Sequence, residues 1–266
     1  DDPEKILGIG PDVIFRTSVP GTAYGTSIAE ADRLQERTGI PVVALPCGSL
    51  RNDAEKAEMY GSLRAMGEVL GKEDRAEEVI AYIEATIADL ENRTGDIPDA
   101  EQKVVYVGGV SSAGAHGIAS TEPAYPPFLW VHAKNVAAGL GTAHADVAKE
   151  ALVDWDPEYL FIDAGTIQMD SGGAIRELKN DPALQGLSAA KEGRVYGVLP
   201  YNFYSANHET VFADAYFVGK TLYPDRFADI DPAKKADEIY TFFVGKPVFA
   251  EHNSEYENLG FTEIPL

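Results

Sequence analysis

The sequence predicts an α/β fold of two lobes with parallel sheets flanked by helices, joined by a long linker helix. Short apolar runs alternate with segments of helical periodicity along all 266 residues, which is typical of parallel sheets with helical crossovers. A segment near the start recurs in the second half, and one long amphipathic stretch separates the two halves. A chain of this length can form two lobes, each with its own core.

The internal repeat is the strongest sign of two similar lobes. Residues 4–15 align with residues 150–161, and residues 39–46 resemble residues 193–200. This spacing is far too long for a solenoid repeat, so it indicates two units of similar design. We therefore expect an N-terminal lobe over residues 1–71, a linker helix over residues 72–95 and a C-terminal lobe over residues 96–266.

The first lobe has two convincing strands, Pro11–Phe15 and Pro41–Leu45, which are both short apolar runs. We expect Pro11–Phe15 to be buried. Two strands are few for an independent lobe, so we expect the first lobe either to be truncated at its N-terminus or to be a genuinely reduced lobe. Helices are predicted over Ile28–Thr38, over residues 53–70 with Asp53 as the N-cap, and over Glu73–Arg93.

The second lobe repeats the alternation of strands and helices. Strands are predicted at Val104–Val107, Tyr159–Ile162 and Val195–Leu199. Helices are predicted at about Phe128–Ala138, Asp146–Leu152, Gly173–Lys179, His208–Leu222 and Pro232–Val244.

Composition excludes several classes of function. The formal net charge of −21 repels phosphate backbones, so no nucleic-acid partner is expected. Cys47 is the single cysteine, which excludes an internal disulfide and a multi-cysteine metal site. No apolar run approaches the length needed to span a bilayer. The sequence has no nucleophile elbow, P-loop or dinucleotide-binding motif, so we expect a binding protein and not an enzyme.

Ligands of parallel α/β sheets bind beyond the carboxyl ends of the strands. Five loops of this sequence qualify: Arg16–Gly25, Pro46–Asn52, Gly108–Pro126, Ala164–Gly172 and Pro200–Asn207. Their polar and aromatic residues are the candidate ligand-binding residues, namely Arg16, Tyr24, Ser111, Ser112, His116, Tyr125, Tyr201, Asn202, Tyr204 and His208.

The chemistry of these residues leaves alternatives open. Hydroxyl groups and glycines suit close hydrogen bonding to a ligand. The tyrosines suit stacking on a macrocycle or flanking a chelate, or they pack in the core beneath the loops. His116 and His208 are candidate metal ligands, although no H-x-H or H-E-x-x-H spacing occurs. We interpret His144-Ala145-Asp146 as a loop that leads into a helix N-cap.

Several segments together resemble the class III solute-binding proteins of ABC importers, the group that captures ferric siderophores, cobalamin and haem. Glu4–Phe15, Thr38–Leu45 and Ala189–Leu199 resemble strand segments of that family, and Glu73–Leu90 resembles its linker helix. The segments Gly114–Pro127 and Leu199–Asp237 resemble the iron-complex-binding branch of the family.

This resemblance implies an extracytoplasmic protein, membrane- or lipid-anchored at full length, that captures an iron complex such as a ferric siderophore between its lobes. The implied partners are the permease of an ABC importer and the chelate itself, with no resident cofactor and with a monomeric protein. Cobalamin, haem, a bare metal ion or an oxyanion are the alternative ligands. A chelatase-like enzyme on the same fold is the rival class.

Overall fold

The computed structural model describes residues 2–18, 25–46, 48–202 and 206–266. Its contacts divide the chain into two compact units, Asp1–Tyr82 and Ile83–Leu266. The division falls within one long helix, Glu73–Thr94. The α/β class and the parallel sheets that the sequence predicts are confirmed, whereas the exact lobe and linker boundaries stay a prediction.

The first unit contains a two-stranded parallel sheet and amphipathic helices. Its elements are α1 (Pro3–Ile9), β1 (Ile14–Thr17), α2 (Ile28–Thr38), β2 (Val42–Leu45), α3 (Asp53–Leu70) and the first part of α4 (Glu73–Thr94). β1 and β2 pair in parallel, with Ile14 opposite Val42. The prediction that the first strand is buried is wrong, because most side chains of β1 are only half-buried and Thr17 is exposed.

Helix ends in the first unit follow from side-chain capping. Ser27 and Glu30 form a capping box at the start of α2, and Gly39 ends it in the left-handed conformation. At α3 the N-cap is Asn52, whose side chain accepts the Glu55 N–H. The prediction of Asp53 as N-cap is therefore wrong by one residue, since Asp53 already belongs to the first helical turn.

The second unit is built on a four-stranded parallel sheet. The strands of the second unit as a whole are β3 (Val104–Gly108), β4 (Ser120–Thr121), β5 (Lys134–Asn135), β6 (Ala145–Asp146), β7 (Tyr159–Asp163) and β8 (Val195–Val198). Its helices after α4 are α5 (Pro126–Trp130), α6 (Lys149–Trp155), α7 (Gly173–Asn180), α8 (Pro182–Gln185), α9 (Ser188–Lys191), α10 (His208–Leu222), α11 (Pro232–Val244) and α12 (Phe249–Ser254). The order in the sheet is β5-β3-β7-β8, and β4 pairs separately with β6 in antiparallel orientation.

Both faces of the four-stranded sheet are buried, as expected for a parallel sheet. Alternate side chains of β3 and β7, such as Tyr106, Leu160 and Ile162, belong to one apolar cluster with residues of α6 to α9. Phe161 points to the opposite face and makes an edge contact with Phe217 of α10. This burial holds the strand ends rigidly, so the loops that follow them have fixed starting points.

The internal repeat has a structural counterpart. α1 followed by β1 corresponds to α6 followed by β7, and the bounds of the two helices differ by the same offset that the sequences show. The repeated segment, a helix followed by a strand, therefore occurs as α1–β1 in the first compact unit and as α6–β7 in the second.

Two predicted helices of the second unit are wrong in extent. The segment predicted as a helix over residues 128–138 contains only the end of α5, because His132 has a positive φ of 52° and Lys134 then pairs with Val104 in the sheet. The helix predicted from Asp146 begins at Lys149 instead, since Asp146 pairs with Ser120 across β4 and β6. The bounds of α2, α10 and α11 match their predictions.

Among the residues that the structure describes, no helix combines the length and the apolar character needed to cross a membrane.

The corrected N-cap leads to a stability test. We expect Asn52→Ala to lower the free energy of unfolding of the first unit by about 1 kcal/mol, because the Glu55 N–H loses its acceptor. Asp53→Ala is the matched control and should cost less than half as much, since the exposed Asp53 contributes only through the helix dipole and Lys56. Urea unfolding followed by circular dichroism measures both. A larger loss for Asp53→Ala than for Asn52→Ala would contradict the assignment.

Candidate functional site

The carboxyl ends of β3, β7 and β8 lie at one edge of the parallel sheet. The chain passes from β3 to β5 on one side and then to β7 on the other side, so the strand order reverses between β3 and β7. Such a switch point opens a crevice beyond the strand ends, where α/β proteins bind their ligands. The loops that follow β3 and β7 meet at this point, and they form the candidate site.

Asp163, at the end of β7, ties these two loops together. One carboxylate oxygen accepts the Ser111 N–H at 2.8 Å, and the other accepts the Gly165 N–H at 2.8 Å. Burial raises the pKa of Asp163 to about 6, although both backbone donors favour the ionised form. Position 165 requires glycine, because a Cβ there would lie 2.6 Å from the Ser111 hydroxyl oxygen.

His116 is held from two sides in the loop after β3. Its Nε2 lies 2.9 Å from the carbonyl oxygen of Ser112. A carbonyl only accepts, so Nε2 carries the proton and donates. The Thr166 hydroxyl donates to the His116 carbonyl at 2.5 Å and accepts the Ala174 N–H. The Ser112 carbonyl thus fixes the half-buried ring, and the turn after β7 fixes the backbone of His116.

A buried polar group lies beneath the loop after β8. Asp214 of α10 accepts the Leu199 N–H at 3.0 Å and the Tyr125 hydroxyl at 3.4 Å. Burial raises the pKa of Asp214 well above its usual range. The Tyr125 and Tyr201 rings lie 5.8 Å apart, and the buried Tyr201 hydroxyl has no hydrogen-bond partner in the described part of the chain.

The described candidates of the second unit lie in the loops after β3 and β8 or at the start of α10, and contacts join Tyr125 to Tyr201 and Ser112 to His116. Ser111 is fully buried, and Tyr125 is 1% exposed, so both lie beneath the loop surface. Ser112, His116, Asn202 and His208 are half-buried. Burial lowers the pKa of His208 to about 4, so its ring is neutral at physiological pH.

The remaining candidates belong to the first unit or lie outside the described residues. Arg16 lies on β1 and lines a cavity of about 440 Å³ together with Arg33 and Arg37. Tyr24 and Tyr204 lie outside the described residues. A second cavity, of about 450 Å³, lies at the opposite, amino edge of the large sheet near Lys103 and Glu158, away from the candidate site.

Sequence reasoning missed two functional candidates, His144 and Asp146. One ligand atom from each of His116, His144 and Asp146 lies within 4.8 Å of the others. His208 is not one of these three residues. The available signal was the pair His144 and Asp146, a histidine and a carboxylate two residues apart in the sequence. It was missed because Asp146 was taken as part of a helix.

The two hydrogen bonds of Asp163 lead to a pH test. Its folded pKa of about 6 lies above the ordinary value of 3.8, so its stabilising contribution is full below pH 4 and is lost as the pH rises through 6. Relative to Asp163→Asn, the wild type should lose on the order of 3 kcal/mol of unfolding free energy across this range. Urea unfolding between pH 4 and 7 measures the difference.

Asp154→Asn is the matched control, because Asp154 is an exposed aspartate of the same unit. Its stability curve should run parallel to that of the wild type. If the stability curve of Asp163→Asn also ran parallel to that of the wild type, the raised pKa of Asp163 would be contradicted.

Comparison with known proteins identifies the family. The family model described as periplasmic binding protein matches residues 2–201. The molybdate-binding protein MolA of Haemophilus influenzae is 24% identical over 90% of this chain and 69% of its own length. Its structure with bound molybdate superimposes with a TM-score of 0.69 at 20% identity, covering 92% of this chain and 75% of that one.

Two further relatives come from Bacillus subtilis. The uncharacterized ABC transporter substrate-binding lipoprotein YvrC is 22% identical over 85% of this chain and 66% of its own length. The iron(3+)-hydroxamate-binding protein FhuD is 24% identical over 82% of this chain and 65% of its own length. The chain thus spans about two thirds of the length of these relatives. It belongs to the periplasmic binding protein family, a family of substrate-binding proteins of ABC transporters and not of enzymes.

Proposed function

We propose that this protein captures an iron complex, a ferric siderophore or a similar metal chelate, outside the cytoplasm and delivers it unaltered to the permease of an ABC importer. The proposal takes the chelate as cargo and includes no resident cofactor. We also propose that the protein is a monomer and that it is lipid-anchored at full length. The relative YvrC is a lipoprotein, which supports the lipid anchor.

The observation that carries this proposal is the set of polar groups at the switch point of the second unit. Asp163 fixes the loop after β3 against the turn after β7. This leaves the half-buried Ser112 and His116 on one loop, and the half-buried Asn202 on the loop after β8. A few polar groups held in fixed positions are what orients a small ligand.

The charge of these loops favours a ligand of low charge. No lysine or arginine occurs in residues 108–126, 164–172 or 200–207, and the chain as a whole is strongly acidic. Hydroxyl, amide and imidazole groups are the available donors there. A neutral ferric hydroxamate suits such donors better than a multiply charged anion, because no cation of these loops offsets a ligand's negative charge. The likeness to FhuD supports the same ligand class.

The Tyr201 hydroxyl, which has no hydrogen-bond partner among the described residues, also supports ligand binding at this edge. Buried hydroxyl groups are nearly always hydrogen-bonded, so a missing partner calls for an explanation. Tyr201 lies in the loop after β8, and its backbone oxygen accepts the Asn207 N–H at 2.8 Å. A ligand oxygen that reaches this hydroxyl would satisfy it.

Molybdate is the second candidate ligand, and the similarity to MolA over 90% of the chain favours it. Neutral donors can hold an oxyanion when several N–H and O–H groups converge. The affinity for a doubly charged oxyanion would, however, depend on electrostatic attraction, which salt screens. The affinity for a neutral chelate would not depend on it.

Titration with a ligand panel distinguishes the two candidates. We expect ferrichrome, a neutral ferric trihydroxamate, to bind at one per chain with an affinity that changes less than about twofold between low and high salt. Haemin, cobalamin and sodium molybdate are the other members of the panel. Isothermal titration calorimetry on chelator-treated protein measures affinity and stoichiometry. Molybdate binding without ferrichrome binding would replace the proposed ligand with the oxyanion.

A substitution at the loop after β8 tests the location of the ligand. We expect Asn202→Ala to weaken ferrichrome binding about tenfold, because one hydrogen bond to the ligand is lost. Asn180→Ala is the matched control, since Asn180 is an exposed asparagine at the end of α7, and it should leave the affinity unchanged. Equal affinities in the two variants would place the ligand away from this loop.

A further inference from the structure

We propose that His116, His144 and Asp146 form a binding site for a divalent transition-metal ion in the second unit. Their ligand atoms lie within 4.8 Å of one another. Donors bound to one zinc ion lie about 3.4 Å apart, so the three side chains need to close by about 1 Å. Two imidazoles and one carboxylate are a donor set that suits zinc, nickel and iron(II), and the soft thiolates that copper(I) prefers are absent from it.

The short antiparallel pair of β4 and β6 positions two of the three ligands. Asp146 lies directly opposite Ser120, and Ala145 lies opposite Thr121. His144 directly precedes β6, and its Nε2 lies 2.7 Å from the hydroxyl oxygen of Ser120, the residue opposite Asp146. The pairing therefore fixes a histidine and a carboxylate side by side, although the sequence alone suggested a helix start at this point.

The hydrogen bonds of His144 determine which ring nitrogen is free for a metal. The Ser120 hydroxyl donates its proton to the Val110 carbonyl oxygen at 2.6 Å. The same hydroxyl oxygen lies 2.7 Å from His144 Nε2. Because the hydroxyl has no second proton, Nε2 of His144 donates to it, and Nδ1 of the neutral ring carries the lone pair.

His116 has the same arrangement. Its Nε2 donates to the Ser112 carbonyl oxygen at 2.9 Å, which leaves Nδ1 unprotonated in the neutral ring. Histidines that bind metals characteristically donate their other ring N–H to a carbonyl or hydroxyl group of the protein. Both rings meet this condition, and their centroids are 5.5 Å apart.

The surroundings leave the three side chains partly open to solvent. Both rings are half-buried and Asp146 is exposed. Three protein ligands with an exposed member leave at least one coordination position for water or for a donor atom of another molecule.

This site shares His116 with the proposed site for the iron complex, but it does not depend on capture of that complex. It uses His116 of the loop after β3, His144 and Asp146 of β6, and it would bind a bare ion in the absence of any chelate. A protein that fails to bind ferrichrome can still bind the ion, and the reverse also holds. Titration with the metal alone therefore separates the two proposals.

The test is calorimetric titration of chelator-treated protein with ZnCl₂. We expect one ion per chain. His116→Asn, His144→Asn and Asp146→Asn should each weaken binding at least tenfold, while the exposed Asp154→Asn leaves it unchanged. Thermal unfolding of each variant without metal confirms that it folds. CoCl₂ is the second probe, because cobalt(II) bound by imidazoles in a site of four or five ligands absorbs visible light far more strongly than the hydrated ion.

Three results would overturn the proposal. The first is wild-type protein that binds no Zn²⁺, which needs no variant to interpret. The second is binding that the histidine substitutions leave intact, which would locate the ion elsewhere. The third is a cobalt spectrum that matches the hydrated ion.

Discussion

The candidate site depends on one buried carboxylate at the end of a central strand. Asp163 accepts the backbone N–H groups of Ser111 and Gly165, and it thereby joins the loop after β3 to the turn after β7. These two strands flank the point where the strand order of the sheet reverses. Without this carboxylate, two buried backbone donors would lose their acceptor, which costs more than a hydrogen bond at the surface. The positions of Ser112 and His116 follow from this constraint.

A second constraint comes from the acidic groups buried behind the loops. Burial raises the pKa of Tyr125 and of Asp214, and the neighbouring Asp163 raises both further. The loops offer no lysine or arginine to balance these groups. The site therefore presents neutral hydrogen-bond donors above buried carboxyl groups. Such a site suits a ligand of low charge. Arg16, Arg33 and Arg37 of the first unit line a cavity of a different character.

Much of the fold was predictable because local signals agree with it. α2 and α11 have an N-cap side chain and a glycine in the left-handed conformation, so their bounds follow from the sequence. The segment 128–138 has helical periodicity, but a tertiary pairing of Lys134 with Val104 overrides it. Such pairings join distant parts of the chain, and no local pattern encodes them.

The same limit applies to the site. Loops after strands could be predicted from the alternation of strands and helices, and they contain Ser111, Ser112, His116 and Tyr201. The grouping of His116 with His144 could not, because it depends on the antiparallel pair of β4 and β6, each only two residues long. The burial of Tyr125 and its bond to Asp214 likewise come from packing of α10 against α5.

The most direct measurement of the central claim is a crystal structure of the protein with a bound ferric hydroxamate. The account predicts that the chelate contacts Ser112, His116 or Asn202 at the carboxyl edge of the large sheet, with the Asp163 hydrogen bonds intact. A chelate bound instead at the amino edge, near Lys103 and Glu158, would contradict it.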